Sequence, residues 1–225
     1  AIYYAPPRGA FATLGAQWLG WDPEAGRGAS LPPGRDWPEL PRPQRAITQA
    51  PRPYGFHGTL KPPFALAEDR TVLGLHATLA ALAPRLHRVR VDGLRIDELG
   101  DFLALLPEGV AASLDALAAT LVEALDAFRA PPTDDELARR RAAGLTEAQE
   151  ALLVRWGYPY VMDEFRFHMT LTGPLPRDDR VQVAEALRPL FEPKIERPFR
   201  LDAICLFGEG QDGRFRNLHR YPLSA

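Results

Sequence analysis

Hydrophobic positions recur at helical spacing in three long stretches. Val110 to Arg129 carries Leu114, Leu117, Leu121 and Leu125, and Arg180 to Phe191 carries Val181, Val183, Ala184, Leu187, Leu190 and Phe191. Thr71 to Leu86 has the same character. Apolar residues three and four apart share one face, so each stretch predicts a helix packed on a core. Shorter apolar runs ending at a proline, Ile2-Tyr3-Tyr4-Ala5-Pro6 and Phe102 to Pro107, predict strands. Turn residues at Glu98-Leu99-Gly100-Asp101 and from Gly208 to Gly213 predict two hairpins, hence antiparallel pairing. A short helix is expected near Phe11 to Leu19. From Gly20 to Pro53 prolines and glycines are dense and periodicity fades, which predicts an irregular loop.

The pattern repeats. Phe56-His57-Gly58-Thr59-Leu60 returns as Phe167-His168-Met169-Thr170-Leu171, displaced by 111 residues. Asp69-Arg70 returns as Asp179-Arg180, and Val91-Asp92-Gly93-Leu94 is echoed by Leu201-Asp202-Ala203-Ile204, both displaced by 110. Several matches in register point to an internal duplication. Each repeat runs from an apolar strand through a connection to a His-bearing strand, a helix and a hairpin. An insertion from Pro131 to Tyr160 breaks the symmetry, with Thr133 and Glu136 spaced as a capping box. It carries Arg139-Arg140-Arg141, read either as a solvated helix face or as a lid over an anionic ligand.

With 225 residues, 46% of them hydrophobic, the chain can bury a substantial core. Its 27 Lys and Arg nearly balance 29 Asp and Glu, which argues against a long nucleic-acid partner and permits a small anion in a local basic pocket. Cys205 is the only cysteine, so thiolate-rich zinc sites and internal disulfides are excluded, and its apolar surroundings predict burial. The chain opens without a basic and apolar leader and has no long apolar run, which predicts a cytoplasmic protein off the membrane.

In a strand, residues two apart share a face, so His57 projects with Thr59 and His168 with Thr170. The same faces extend to Gly55 and Lys61, and to Arg166 and Thr172. Phe56, Leu60, Phe167, Met169 and Leu171 anchor the other side. Imidazoles serve as acid or base near neutral pH, and hydroxyls can hold phosphate oxygens. Placed on both sides of a phosphorus atom, His57 and His168 would supply base and acid without a metal, and no ligand-spaced cluster surrounds either one. Tyr54 is a candidate to stack on a sugar. Lys61 and Arg166 are candidates to neutralise a second phosphate. Tyr158 and Tyr160 are weaker candidates to line the site. His76, His87 and His219 read as structural.

The pair His57-Gly58-Thr59-Leu60 and His168-Met169-Thr170-Leu171 resembles the His-x-Thr/Ser-hydrophobic motifs of the two-histidine phosphoesterase superfamily, which includes RNA ligase-like proteins. The longer strings Tyr54 to Phe64 and Phe165 to Gly173 resemble a branch described as phosphonate-metabolism proteins. The resemblance implies an α+β fold over residues 1–225: one bilobal, pseudo-two-fold domain of two antiparallel sheets facing a central cleft, helices outside. It also implies a cofactor-free cyclic phosphodiesterase, a hydrolase of ester bonds, opening a small cyclic phosphate such as a phosphoribosyl cyclic phosphate. The chain is expected to act as a monomer. Alternatives are an RNA-end 2′,3′-cyclic phosphodiesterase or 2′,5′-RNA ligase, and a nucleotide-binding regulatory module without turnover.

Overall fold

A computed structural model describes all 225 residues. Strand β1 (Ile2–Tyr4) leads to helix α1 (Ala10–Leu19), which stops at Gly20 in the left-handed region at φ 78°. After the expected loop come a single turn, α2 (Gln44–Ile47), and β2 (Gly58–Lys61). Helix α3 (Val72–Leu82) starts at Thr71, whose hydroxyl accepts from the Gly74 amide. The chain continues through β3 (Val89–Val91), β4 (Gly93–Leu99) and β5 (Phe102–Glu108).

Helix α4 (Ala112–Ala124) buries the leucine stripe read from the sequence. The insertion forms α5 (Asp134–Arg141) and α6 (Glu147–Trp156), each opened by a reciprocal capping box, Thr133 with Glu136 and Thr146 with Gln149. Such a box satisfies two otherwise unpaired amides at a helix start. The chain closes with β6 (Met169–Thr170), α7 (Arg177–Phe191), β7 (Phe199–Leu201), β8 (Ala203–Glu209) and β9 (Phe215–Pro222).

Two facing sheets were expected, and the structure differs. Seven strands form one antiparallel sheet in the order β4-β5-β6-β2-β1-β8-β9, while β3 and β7 pair separately. The reason is a single junction: Gly58 pairs with Met169, so the two motif strands are hydrogen-bonded neighbours. Both histidines lie one residue ahead of those strands. The junction joins residues 111 apart, the displacement of the two motifs, and β3 meets β7 at Arg90 and Arg200, 110 apart.

The sheet buries Ile2, Tyr4, Leu60, Met169 and Leu105 in one large core with α3, α4 and α7. Alternation sends Tyr3 and Ala5 the other way, into a smaller cluster with Cys205, Phe207 and Phe215. No helix is long and apolar enough to cross a membrane.

Candidate functional site

A short 3-10 turn, Arg52–Tyr54, delivers the first motif. Gly55 follows at φ 74°, where a Cβ would also sit 2.6 Å from the Pro23 ring, so only glycine fits without strain. Its carbonyl accepts from His57 Nδ1 at 2.9 Å. The second motif repeats the arrangement, with His168 Nδ1 2.7 Å from the Arg166 carbonyl. A carbonyl can only accept, so both rings carry their hydrogen on Nδ1 and, when neutral, a lone pair on Nε2. His57 Nε2 lies 3.2 Å from Thr59 Oγ1, placing that hydroxyl as its donor.

Burial drives the His57 pKa down to about 4; the Gly55 carbonyl opposes this and repulsion from His168 adds to it. Burial also lowers the His168 pKa, against the pull of the Arg166 carbonyl. Charge on a desolvated ring costs more than in water, so both imidazoles favour the neutral form. Tyr3 stacks on His57 with centroids 4.0 Å apart and planes at 29°. Tyr54, 37% exposed, stands 6.0 Å from His57 and stacks on Phe215 at 4.9 Å. Thr170 is half-buried on β6 opposite Ala104.

Of the residues expected to share these faces, Lys61 goes elsewhere. The β1–β2 register slips between Tyr3↔Thr59 and Ile2↔Lys61, a bulge that breaks alternation. Lys61 is therefore buried beside α4, with Nζ donating to the Val122 carbonyl at 3.0 Å. Thr172 is likewise structural, its buried hydroxyl accepting from the Leu103 amide. Arg166 is exposed, with Asp115 as its acidic neighbour.

Arg141 forms a bidentate pair with Glu150, as a solvated helix face would, whereas Arg140 lies 4.5 Å over the Tyr158 ring. Burial raises the Tyr158 pKa, with Tyr54 among the neighbours that add to it. Tyr160 packs against Tyr158 and is 43% exposed. His76 bonds to the Tyr221 hydroxyl at 2.8 Å, His219 packs on both, and His87 contacts Ser224, in agreement with structural roles.

The sequence reading missed Tyr3 and Phe207, the walls of His57. Their signal was present in the alternation of β1 and β8, once those strands are placed beside β2. A concavity of about 630 Å³ lies at the α5–α6 turn around Arg141, Thr146 and Glu150. It includes neither histidine, and Arg141 there is already satisfied by Glu150. The paired imidazoles and hydroxyls therefore make the histidine pair the candidate site in preference to that hollow. No group of three or more His, Cys, Asp or Glu side chains is placed to hold a metal ion.

Residues 59–216 match the family described as "Protein of unknown function (DUF1045)". The chain belongs to this family. The matched DUF1045 span contains Thr59, His168 and Thr170 and begins two residues after His57. The chain is also similar to two curated proteins named ribose 1,5-bisphosphate phosphokinase PhnN. The one from Janthinobacterium sp. (strain Marseille) is 36% identical over 100% of this chain and 50% of its own length. The one from Laribacter hongkongensis (strain HLHK9) is 35% identical over 95% of this chain and 48% of its own. The DUF1045 chain thus spans about half the length of the curated relatives it matches.

These names correct the expectation of a cyclic phosphodiesterase. The relatives are named as a phosphokinase, a phosphotransferase, and not as a hydrolase of ester bonds. A nucleotide-phosphate loop of the Gly-x4-Gly-Lys-Ser/Thr kind needs a glycine before its lysine. In this DUF1045 chain the two lysines, Lys61 and Lys194, follow Leu60 and Pro193.

Proposed function

We propose that the chain is an internally duplicated member of the two-histidine superfamily, acting in phosphonate metabolism, whose site holds a phosphorylated ribose. There the histidines move protons on and off oxygens bonded to its phosphorus. The observation that carries this reading is the matched pair of imidazoles, each fixed through Nδ1 to the carbonyl two residues back, one residue ahead of adjoining strands. A neutral imidazole takes the proton from an incoming oxygen through Nε2. A protonated one gives it to the outgoing oxygen. Thr59 and Thr170 hold the non-bridging oxygens as charge develops. The PhnN relatives, named for ribose 1,5-bisphosphate, support a phosphorylated ribose as the ligand and agree with the phosphonate-metabolism branch that the motif strings resemble.

We assign the phosphorylated-ribose side of the chemistry to this half of the relatives' length, since neither lysine sits in a Gly-Lys nucleotide loop. The test is calorimetry and phosphorus NMR with ribose 5-phosphate and ribose 1,5-bisphosphate, with and without ATP and magnesium. The parent is compared with His57→Ala and His168→Ala. Binding and a change in the phosphorus spectrum that is lost in both variants is the expected result. Failure of the parent to bind either sugar phosphate overturns the reading.

A further inference from the structure

The hydrogen-bond register allows the two motifs to be compared strand by strand. Thr59 on β2 pairs with Tyr3 on β1, and Thr170 on β6 pairs with Ala104 on β5. One position along, Gly58 pairs with Tyr4 and Met169 with Leu105. Tyr3 and Ala104 thus hold matching places beside matching threonines. The imidazoles themselves are tethered alike, each Nδ1 on a carbonyl two residues back. What differs is the cover. His57 lies under Tyr3 at 4.0 Å, with Tyr54 and Phe207 at 6.0 and 6.4 Å. His168 has one aromatic neighbour, Phe102, at 5.9 Å and tilted by 55°. Ala104 supplies no ring.

We propose that Tyr3 is a positioning residue that makes the two histidines unequal: its ring covers His57 and keeps that imidazole neutral as the proton acceptor, leaving His168 as the proton donor. This rests on the acid–base reading of the site. A ring stacked over an imidazole shields one face from water, and the charged form loses more solvation than the neutral one. The face of an aromatic ring also attracts cations, which works the other way. Burial wins here, because the His57 pKa is driven down to about 4.

The other polar groups facing the pair do not reverse this. Thr59 Oγ1 donates to His57, the His168 ring repels a charge on it, and burial raises the Tyr158 pKa, which keeps that hydroxyl neutral. Glu209 on β8 is the one anion felt at the Tyr3 hydroxyl. The stack also fixes the His57 plane, so its Nε2 lone pair keeps one direction.

The experiment is a pH titration of the imidazole Cε1–H signals of the full chain by NMR, in the parent, Tyr3→Phe and Tyr3→Ala. Alanine is what the second repeat carries at the matching position. His57 is expected to titrate below His168 by on the order of one pH unit, tenfold in proton affinity. Phenylalanine, which keeps the ring, should preserve the gap, and alanine should close it by raising the His57 midpoint. His57 titrating at or above His168 in the parent overturns the proposal. So does a gap that survives Tyr3→Ala in a protein with a native, dispersed spectrum. If that variant does not fold, Tyr3→Val keeps a strand-forming side chain without a ring and carries the same expectations. The titrations need no substrate, so a parent that binds no sugar phosphate would sink the proposed function and leave this result standing.

Discussion

Gly58 and Met169 pair across the junction of β2 and β6, and through them the residues that follow the two histidines meet in the middle of a seven-stranded sheet. The contact is tight. A Cβ built on Gly58 would stand 2.5 Å from the Phe167 ring, closer than real side chains approach. Phe167 is buried in the main core, so the ring has little room to retreat.

Gly58→Ala is therefore expected to destabilise the fold by about 1–3 kcal/mol, the usual cost of overpacking a core. Urea unfolding of parent and variant, with equal slopes and a lower midpoint in the variant, is the measurement. An unchanged midpoint would mean that Phe167 swings aside freely and that the junction is looser than the geometry indicates.

Acid should weaken the protein through His57. Its folded pKa of about 4 lies below the ordinary value of 6.5, so between those values the unfolded chain binds more protons than the folded one. Stability therefore rises with pH across that window and is lost as pH falls from 6.5 toward 4. The shift corresponds to at most about 3 kcal/mol, and partial exposure of the ring reduces it. Comparing denaturation at pH 7 and pH 4.5 in the parent and His57→Gln isolates the contribution. The variant should lose less stability than the parent over this range, and an equal loss in both would contradict the assignment.

Lys61 should act in the same direction at the alkaline end. Burial pulls its pKa from 10.5 to about 8, with Asp126 opposing and Arg129 reinforcing the shift. Between pH 8 and 10.5 the folded lysine has released its proton while the unfolded one retains it, so stability from this group rises with pH. The limit is about 3 kcal/mol. Unfolding at pH 7 and pH 9.5 should show the rise in the parent and its absence in Lys61→Met. A flat parent would show that the ammonium is better solvated than its place beside the Val122 carbonyl suggests.

Periodicity and capping were readable because they are local. The leucines of α4, the turn at Gly100 and the Thr133–Glu136 box depend on residues within one or two turns of each other, and each is in place. The Thr146–Gln149 box that starts α6 was not among the elements read from the sequence and comes from the structure. Strand partnership is not local. Nothing within either motif says that β2 will pair with β6, so one seven-stranded sheet carries both motif strands where two facing sheets were expected. Lys61 illustrates a finer limit: period-two alternation places it with His57, and one bulge against β1 turns it to α4. For the same reason Tyr3 escaped notice, since its role depends on which strand lies beside β2.

The insertion offers the last test. Helix α5 buries none of its residues and depends on its capping box, a feature worth about 1 kcal/mol, so it belongs to the easily opened part of the molecule. Yet it carries Arg140 to Tyr158, whose hydroxyl is within electrostatic reach of Tyr54 beside His57. A phosphate at the histidine pair would give that guanidinium an anion to approach and α5 a reason to settle. Amide exchange across residues 134–158 is accordingly expected to slow on addition of a phosphorylated ribose, with α4 unchanged as the internal control. Arg140→Ala should abolish the slowing while leaving exchange in the free protein as it was. Protection in 134–158 that does not respond to the ligand would mean that the insertion is a fixed structural addition and not a lid.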